Sequence, residues 1–371
     1  MNSLFNDAKD HVLFSNEDTE FRIIWRADPG PLGLPRYLVR PRVGRRDGAA
    51  MVVEMLSRRA PAEARLRLEE EARLGLLLMH PAIAPVHGLF DTPGGFFLLK
   101  GFVEGCGLDT ILNLSAMRQR PPSEALALHV AREVARALRS ASLARDEKGQ
   151  PLGILHRSVS PGCIRVGVEG EVQLTDFGSA YSLLPGRWRT PTGVIRGAID
   201  YAAPERLCTS EQGDGRSDLF SLGVVLLEML TGQNLYGLES LEWVTHQSRR
   251  VLKSRDGVQA ETPGWTSAGE MAALAAAFRP EHVEDAMREV SAPVKAIVHK
   301  CLRARPSERY ATAAELEEDL VVCQRRSRAY GFQEAARELQ EIRHDAQSSL
   351  MREKAELLEL GVFQERVPRR S

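Results

Sequence analysis

The stretch LHRSVSPGC, residues 155–163, gathers His156, Arg157, Ser158, Ser160 and Cys163 in a loop that holds no carboxylate, so groups able to move a proton or attack stand there without an acidic partner. Either the chain catalyses by another route, or it keeps an enzyme's shape for a different purpose. Metal and disulfide chemistry are poorly supplied. Cys106, Cys163, Cys208, Cys301 and Cys323 are odd in number and show no CxxC spacing, which argues against both a zinc site and a disulfide framework and in favour of reduced thiols. A formal net charge of −1 over 371 residues gives no broad attraction to nucleic acid or anionic lipid.

The elements that must hold such a loop follow from periodicity. Residues 21–25 (FRIIW) and 50–56 (AMVVEML) are short apolar runs rich in β-branched side chains and predict strands. The segment between them, full of Gly and Pro, predicts a turn joining antiparallel strands. Residues 63–79 predict a helix with Leu66, Ala72, Leu76 and Leu77 available for one face, stopped by His80-Pro81. Residues 94–105 predict a further strand and its exit loop. Ser123 predicts an N-cap for a long helix carrying Leu126, Val130, Val134 and Leu138. Helices are expected over 218–230, near 240–253, 268–277 and 284–304, and over 312–326. A charged helix is expected over 333–362, with Leu339, Ile342, Ala346, Leu350 and Leu357 in a rough stripe, packed on its own domain or bound to a partner. A small strand-rich part followed by a larger helical part implies an α+β chain of two lobes. The first twenty residues lack the apolar stretch of a signal peptide, and no run is apolar and long enough to span a bilayer, so cytoplasm is the expected compartment.

His156-Arg157, Asp176-Phe177-Gly178, Ala203-Pro204-Glu205, Asp218 in SDLFSLG and Arg309 in the segment CLRARPSERY occur in order and with workable spacing. Together they resemble the protein-kinase signature set, most closely that of bacterial serine/threonine kinases, over residues 21–326. The resemblance implies a small antiparallel N-lobe with one helix (21–104), a mainly helical C-lobe (105–326), an N-terminal extension (1–20) and a C-terminal helical extension (327–371). It also implies that Glu205 pairs with Arg309, that Asp218 ties a buried helix to the catalytic-loop backbone, and that His156 packs beside Phe177.

By the same resemblance the chemical positions are degenerate. The catalytic carboxylate is replaced by Ser158, whose hydroxyl is not ionised near neutrality; losing positioned acid–base help costs on the order of 10²–10⁴ in rate. The magnesium-holding asparagine is Cys163, a soft thiol where a hard oxygen is wanted. The phosphate-binding lysine aligns with Glu54, and two unit charges about 4 Å apart interact by roughly 4 kcal/mol at an effective dielectric near 20. Glu71 takes the helix-glutamate position, so it and Glu54 cannot form the usual pair; one is protonated, or the helix swings away, or Arg73 or Lys100 intervenes. Gly30 and Gly33 lie in a loop whose Pro29, Pro31 and Pro35 remove N–H groups that would grip phosphates.

Lys100 falls near the gatekeeper position; it either pairs with Glu54 or Glu71 and blocks the pocket, or replaces the missing lysine and reaches a phosphate. Asp176 either holds a magnesium ion or is kept for its structural part. Thr190 and Thr192, beside Arg187, Arg189 and Arg157, are candidate phosphorylation sites in a loop that is otherwise simply flexible and basic. These residues point to a pseudokinase that binds a protein partner such as an active kinase or its substrate. A weakly active kinase and an ATP-binding sensor are the alternatives. No cofactor is assigned outright, and ATP and magnesium are weak candidates.

Overall fold

The computed structural model describes residues 11–29, 33–186, 197–208, 213–237, 274, 278–326 and 329–359. Gly30, Thr190, Thr192 and the helices expected near 240–253 and 268–277 (apart from residue 274) lie outside them.

The N-terminal lobe is an antiparallel sheet in the order β1 (Val12–Asn16), β2 (Thr19–Ala27), β3 (Arg36–Val43), β5 (Met51–Leu56), β7 (Gly95–Gly101), β6 (Val86–Thr92), with the short β4 (Arg46–Asp47) on β3. Two sequence expectations are corrected here. Residues 12–16, read as part of an extension, pair with β2, and Phe14 stacks on Phe21 and Phe97 at ring-centroid distances of 4.3 and 4.4 Å. The proline-rich segment is not all turn, because residues 36–43 form β3. Pro41 is tolerated there since the β3–β5 ladder ends at Val39 opposite Met51, two residues before the missing N–H would be needed.

Helix α1 (Ala62–Leu77) covers this sheet. Its buried residues include Leu68, Glu71, Ala72 and Gly75, an i, i+3, i+4, i+7 set, with Glu70 and Leu74 beside them, whereas the expected Leu66 and Leu76 are exposed. Gly75 is what allows the close approach: a Cβ there would stand 2.2 Å from a methyl of Val86 on β6.

The C-terminal lobe packs α2 (Leu108–Met117), α3 (Glu124–Leu143), α4 (Pro204–Cys208), α5 (Gly215–Thr231), α6 (Ala292–Cys301) and α7 (Ala313–Arg326) around one apolar core, with a three-stranded sheet of β8 (Gly105–Gly107), β9 (Ile164–Gly167) and β10 (Val172–Leu174) facing the N-lobe. Ser123 caps α3 by accepting from the Leu126 N–H at 3.1 Å. The helix expected over 284–304 is shorter, because Pro293 in the first turn of α6 forbids continuation from upstream. No described helix is long and apolar enough to cross a membrane.

Helix α8 (Phe332–Glu359) lies on α2 and α3 and buries Ala335, Leu339, Ile342 and Ala346. Its Glu338 accepts from the Ser123 hydroxyl at 2.6 Å, the Ser123 N–H at 2.7 Å and the Tyr330 hydroxyl at 2.7 Å. Hydrogen bonds to charged groups contribute about 1.5–3 kcal/mol. Glu338→Ala should therefore cost about 2–3 kcal/mol in urea unfolding and speed proteolysis within α8; an unchanged cleavage rate would show that the helix is held by its apolar face alone.

Candidate functional site

Strand register builds the site. Arg36 on β3 stands directly opposite Glu54 on β5, and Glu54 stands opposite Leu98 on β7, so Lys100, two residues further along β7, is Glu54's diagonal neighbour on the same face. Glu71 arrives from α1, and Asp176 from the turn after β10. Asp176 (φ 64°) and Arg157 (φ 64°) both occupy left-handed backbone, the strained geometry that clusters at functional loops.

Lys100 is the hub. Its ammonium donates to Glu54 Oε2 at 3.0 Å, to Asp176 Oδ1 at 3.1 Å and to Glu71 Oε1, so each of its three N–H groups has a carboxylate. Arg36 donates Nε to Glu54 Oε1 at 3.0 Å and Nη2 to Asp176 Oδ1 at 2.8 Å, and Thr175 Oγ1 donates to Asp176 Oδ2 at 2.7 Å. Lys100, Glu54 and Glu71 are 6, 3 and 2% exposed, so these charges rely on one another rather than on water. Of the ways in which Glu54 and Glu71 could coexist, the observed one is Lys100 between them with the helix docked. Arg73 points elsewhere, to the Pro185 carbonyl at 3.1 Å. The sequence gives no signal for Arg36, because the Gly- and Pro-rich stretch around it disguises β3 as a turn.

The titrations follow from this arrangement. Burial opposes the Lys100 ammonium, yet Glu54, Glu71 and Asp176 hold its pKa well above the ordinary value. Burial likewise opposes the Asp176 carboxylate, and Lys100 and Arg36 overcome it, bringing the pKa to about 2. Glu71 goes the other way: burial, with the Glu54 and Asp176 charges, outweighs Lys100 and raises it from 4.5 to about 7. Between pH 4.5 and 7 the folded state therefore keeps a proton that the unfolded chain has released. This contribution to stability falls as pH rises through that window and is flat above it. Glu71→Gln should remove the slope. Urea unfolding at pH 5.5, 7 and 8, taken as wild type minus variant so that the histidines cancel, checks it; a difference independent of pH would refute the assignment.

The loop of residues 155–163 is held from below. Asp218 accepts from the His156 and Arg157 N–H groups, both at 2.8 Å, and His156 Nε2 lies 2.9 Å from the Thr175 carbonyl while its ring meets Phe177 edge-on at 4.6 Å. Gly178 lies with Phe177 in the 3₁₀ turn of residues 177–179. The Arg309 guanidinium grips Glu205 through two hydrogen bonds of 2.7 and 2.8 Å. Ser158, Ser160 and Cys163 form a buried, uncharged group: the Cys163 thiol lies 3.9 Å from the Ser158 hydroxyl and 3.7 Å from that of Ser160, and burial pushes its pKa up to about 12.

Between the lobes is a cavity of about 680 Å³, lined among others by Trp25, Arg36, Lys100, Phe102, Arg165 and Asp176; Gly33 is not part of its lining. The donor set does not suit a magnesium ion. Asp176 has both oxygens engaged, Cys163 is a neutral soft thiol, and Ser158 carries no charge. The carboxylate oxygens of Glu54, Glu71 and Asp176 lie within 4.8 Å of one another, but their common partner is the Lys100 ammonium.

An antiparallel sheet with one docked helix, set over a helical lobe whose loop is tied to a buried aspartate, is the bilobal architecture of protein kinases. The protein kinase domain family matches residues 39–321, and the chain belongs to the protein kinase superfamily. It is 35% identical over 164 residues (44% of this chain, 25% of the relative) to the tyrosine-protein kinase MasK of Myxococcus xanthus. It is 30% identical over 261 residues (69% of this chain, 35% of the relative) to the serine/threonine-protein kinase PknB of Mycobacterium tuberculosis. With the serine/threonine-protein kinase PknK of Mycobacterium bovis it shares 30% identity over 262 residues, covering 70% of this chain and 20% of the relative. The chain thus spans about a third or less of the length of these curated relatives.

Proposed function

We propose that this chain is a pseudokinase, a kinase fold that acts in signalling by binding a protein partner, such as an active kinase or that kinase's substrate, rather than by transferring phosphate. One observation carries the reading: Lys100 and Arg36 engage Asp176, the carboxylate that a kinase uses for magnesium, and join it to Glu54 where the phosphate-binding lysine would stand. Ser158 and Cys163 leave the loop without a carboxylate or a hard metal ligand at the two positions that need them.

The buried charges also give the fold a reason to stay closed without nucleotide. Arg36 and Lys100 belong to the N-lobe sheet and Asp176 to the C-lobe, so their bonds cross the cleft. A closed kinase shape with docked α1 is a fixed surface, which suits recognition. A weakly active kinase would need Lys100 to reach a phosphate, and its three donors are all in use.

The test is thermal unfolding with ATP, with and without magnesium or manganese, alongside a radiolabelled phosphotransfer assay on a general protein substrate. No metal-dependent rise in midpoint and no transfer are expected. A metal-dependent rise of several degrees, or turnover that Asp176→Ala abolishes, would overturn the reading.

A further inference from the structure

A groove of about 930 Å³ on the C-lobe is lined by α3, α7 and the residues that lead into α8, and it shares no residue with the interlobe cavity. Helix periodicity builds its walls. Arg132 and Arg136 stand one turn apart on α3, Val321, Gln324 and Arg325 follow at i, i+3 and i+4 on α7, and Tyr330 comes from the connection to α8.

The groove has more donors than acceptors. Arg132 Nη1 donates to Gln324 Oε1 at 2.8 Å, which fixes the amide so that its nitrogen is left over, and that Nε2 is buried with no hydrogen-bond partner. Gln324 is only 9% exposed, and a buried amide donor without an acceptor is costly. Arg132 and Arg136 each donate to Glu133, which is buried and does not line the groove, and Arg136 makes no described bond through Nη2. Arg325 is exposed and makes no hydrogen bond or ion pair among the described residues. The two acids in the lining are already engaged. Glu317 accepts from Arg139 Nη1 at 3.1 Å and lies 4.0 Å from Arg136 Nε, while Glu334 accepts from the Gly331 N–H at 3.0 Å and lies 3.6 Å from Arg337 Nη2. What the groove lacks is a set of acceptors that carry negative charge.

We propose that this groove docks an extended acidic segment of a protein partner, its carboxylates on Arg325 and Arg136 and a main-chain carbonyl accepting from Gln324. Guanidinium forks match carboxylates, and Val321 and Tyr330 give the apolar side chains between the acids a surface to lie on. The site goes beyond the pseudokinase reading, because it lies outside the cleft and would serve a catalytically active kinase fold equally well.

The probe is a fluorescein-labelled peptide alternating aspartate and alanine, titrated into the full chain by fluorescence anisotropy, beside the same peptide with asparagine for aspartate. Saturable one-to-one binding is expected for the acidic peptide alone. Arg325→Glu should weaken it about tenfold or more, since charge-assisted hydrogen bonds are lost, and Gln324→Met, which removes the donor at similar volume, severalfold. Arg305→Glu makes the same change in net charge at an exposed position outside the groove and should leave the affinity as it is. Should Gln324→Met fold poorly, the exposed Arg325→Glu still decides the matter. No saturation, equal affinity for the asparagine peptide, or equal weakening by Arg305→Glu would overturn the proposal and leave the pseudokinase reading standing. So would a single-stranded oligonucleotide bound as tightly as the peptide, which marks attraction of any polyanion.

Discussion

Lys100→Met should lower stability by about 3–5 kcal/mol, the usual result of removing one partner from a buried charge network. At roughly 2–4 °C per kcal/mol, as in domains of 150–250 residues, the melting midpoint should fall by roughly 6–20 °C. The physical reason is that Glu54, Glu71 and Asp176 would be left with one guanidinium among them, within 4.8 Å of one another and out of water. A compensated variant, Lys100→Met with Glu54→Met and Glu71→Met, should recover most of the loss, because buried ion clusters replaced by apolar groups of similar size are often neutral in cost. Lys100→Met alone should also gain stabilisation by manganese, since three convergent carboxylate oxygens would have lost their ammonium. Chemical denaturation with and without manganese measures both effects. If Lys100→Met falls within 1 kcal/mol of wild type, the ammonium is not the hub described.

The framework of this site was readable from the chain because its signals are local. Residues 50–56 and 94–105 carry apolar runs that no helix period fits, and the motifs around His156, Asp176, Glu205 and Asp218 stand at spacings tied to those elements. The sequence marks Glu54, Glu71 and Lys100 as neighbours but leaves their arrangement open, since three buried charges admit several pairings and only strand register selects one. Arg36 was invisible for a different reason. Prolines at positions 35 and 41 read as turn, whereas the pairing of β3 with β5 ends at Val39, two residues before Pro41, so a strand and its key cation are hidden behind a rule that tertiary pairing overrides. The buried face of α1 was misread in the same way. Leu66 and Leu76 look like its apolar stripe, but docking puts Glu71 inward to meet Lys100.

That arrangement also decides how the fold would regain a nucleotide site. Replacing the three degenerate positions with kinase residues, as Glu54→Lys, Ser158→Asp and Cys163→Asn, should not be enough. The new lysine would enter beside Lys100 and Arg36, three cations crowded on one face of the sheet, while Glu71 and Asp176 remained bonded to the old pair. No metal-dependent stabilisation by ATP is expected from this triple variant. Adding Lys100→Met and Arg36→Val should free Glu71 to pair with the new lysine and Asp176 to face a metal ion. Ligand at about a hundredfold its dissociation constant adds about 2.7 kcal/mol to stability, which is a rise of several degrees in the melting midpoint. The two variants compared in one thermal unfolding series with magnesium-ATP decide the matter. A full shift already in the triple variant would mean that Lys100 and Arg36 yield readily to a nucleotide, and that the reactive groups lost from the loop of residues 155–163, rather than the charges packed above it, are what separates this chain from catalysis.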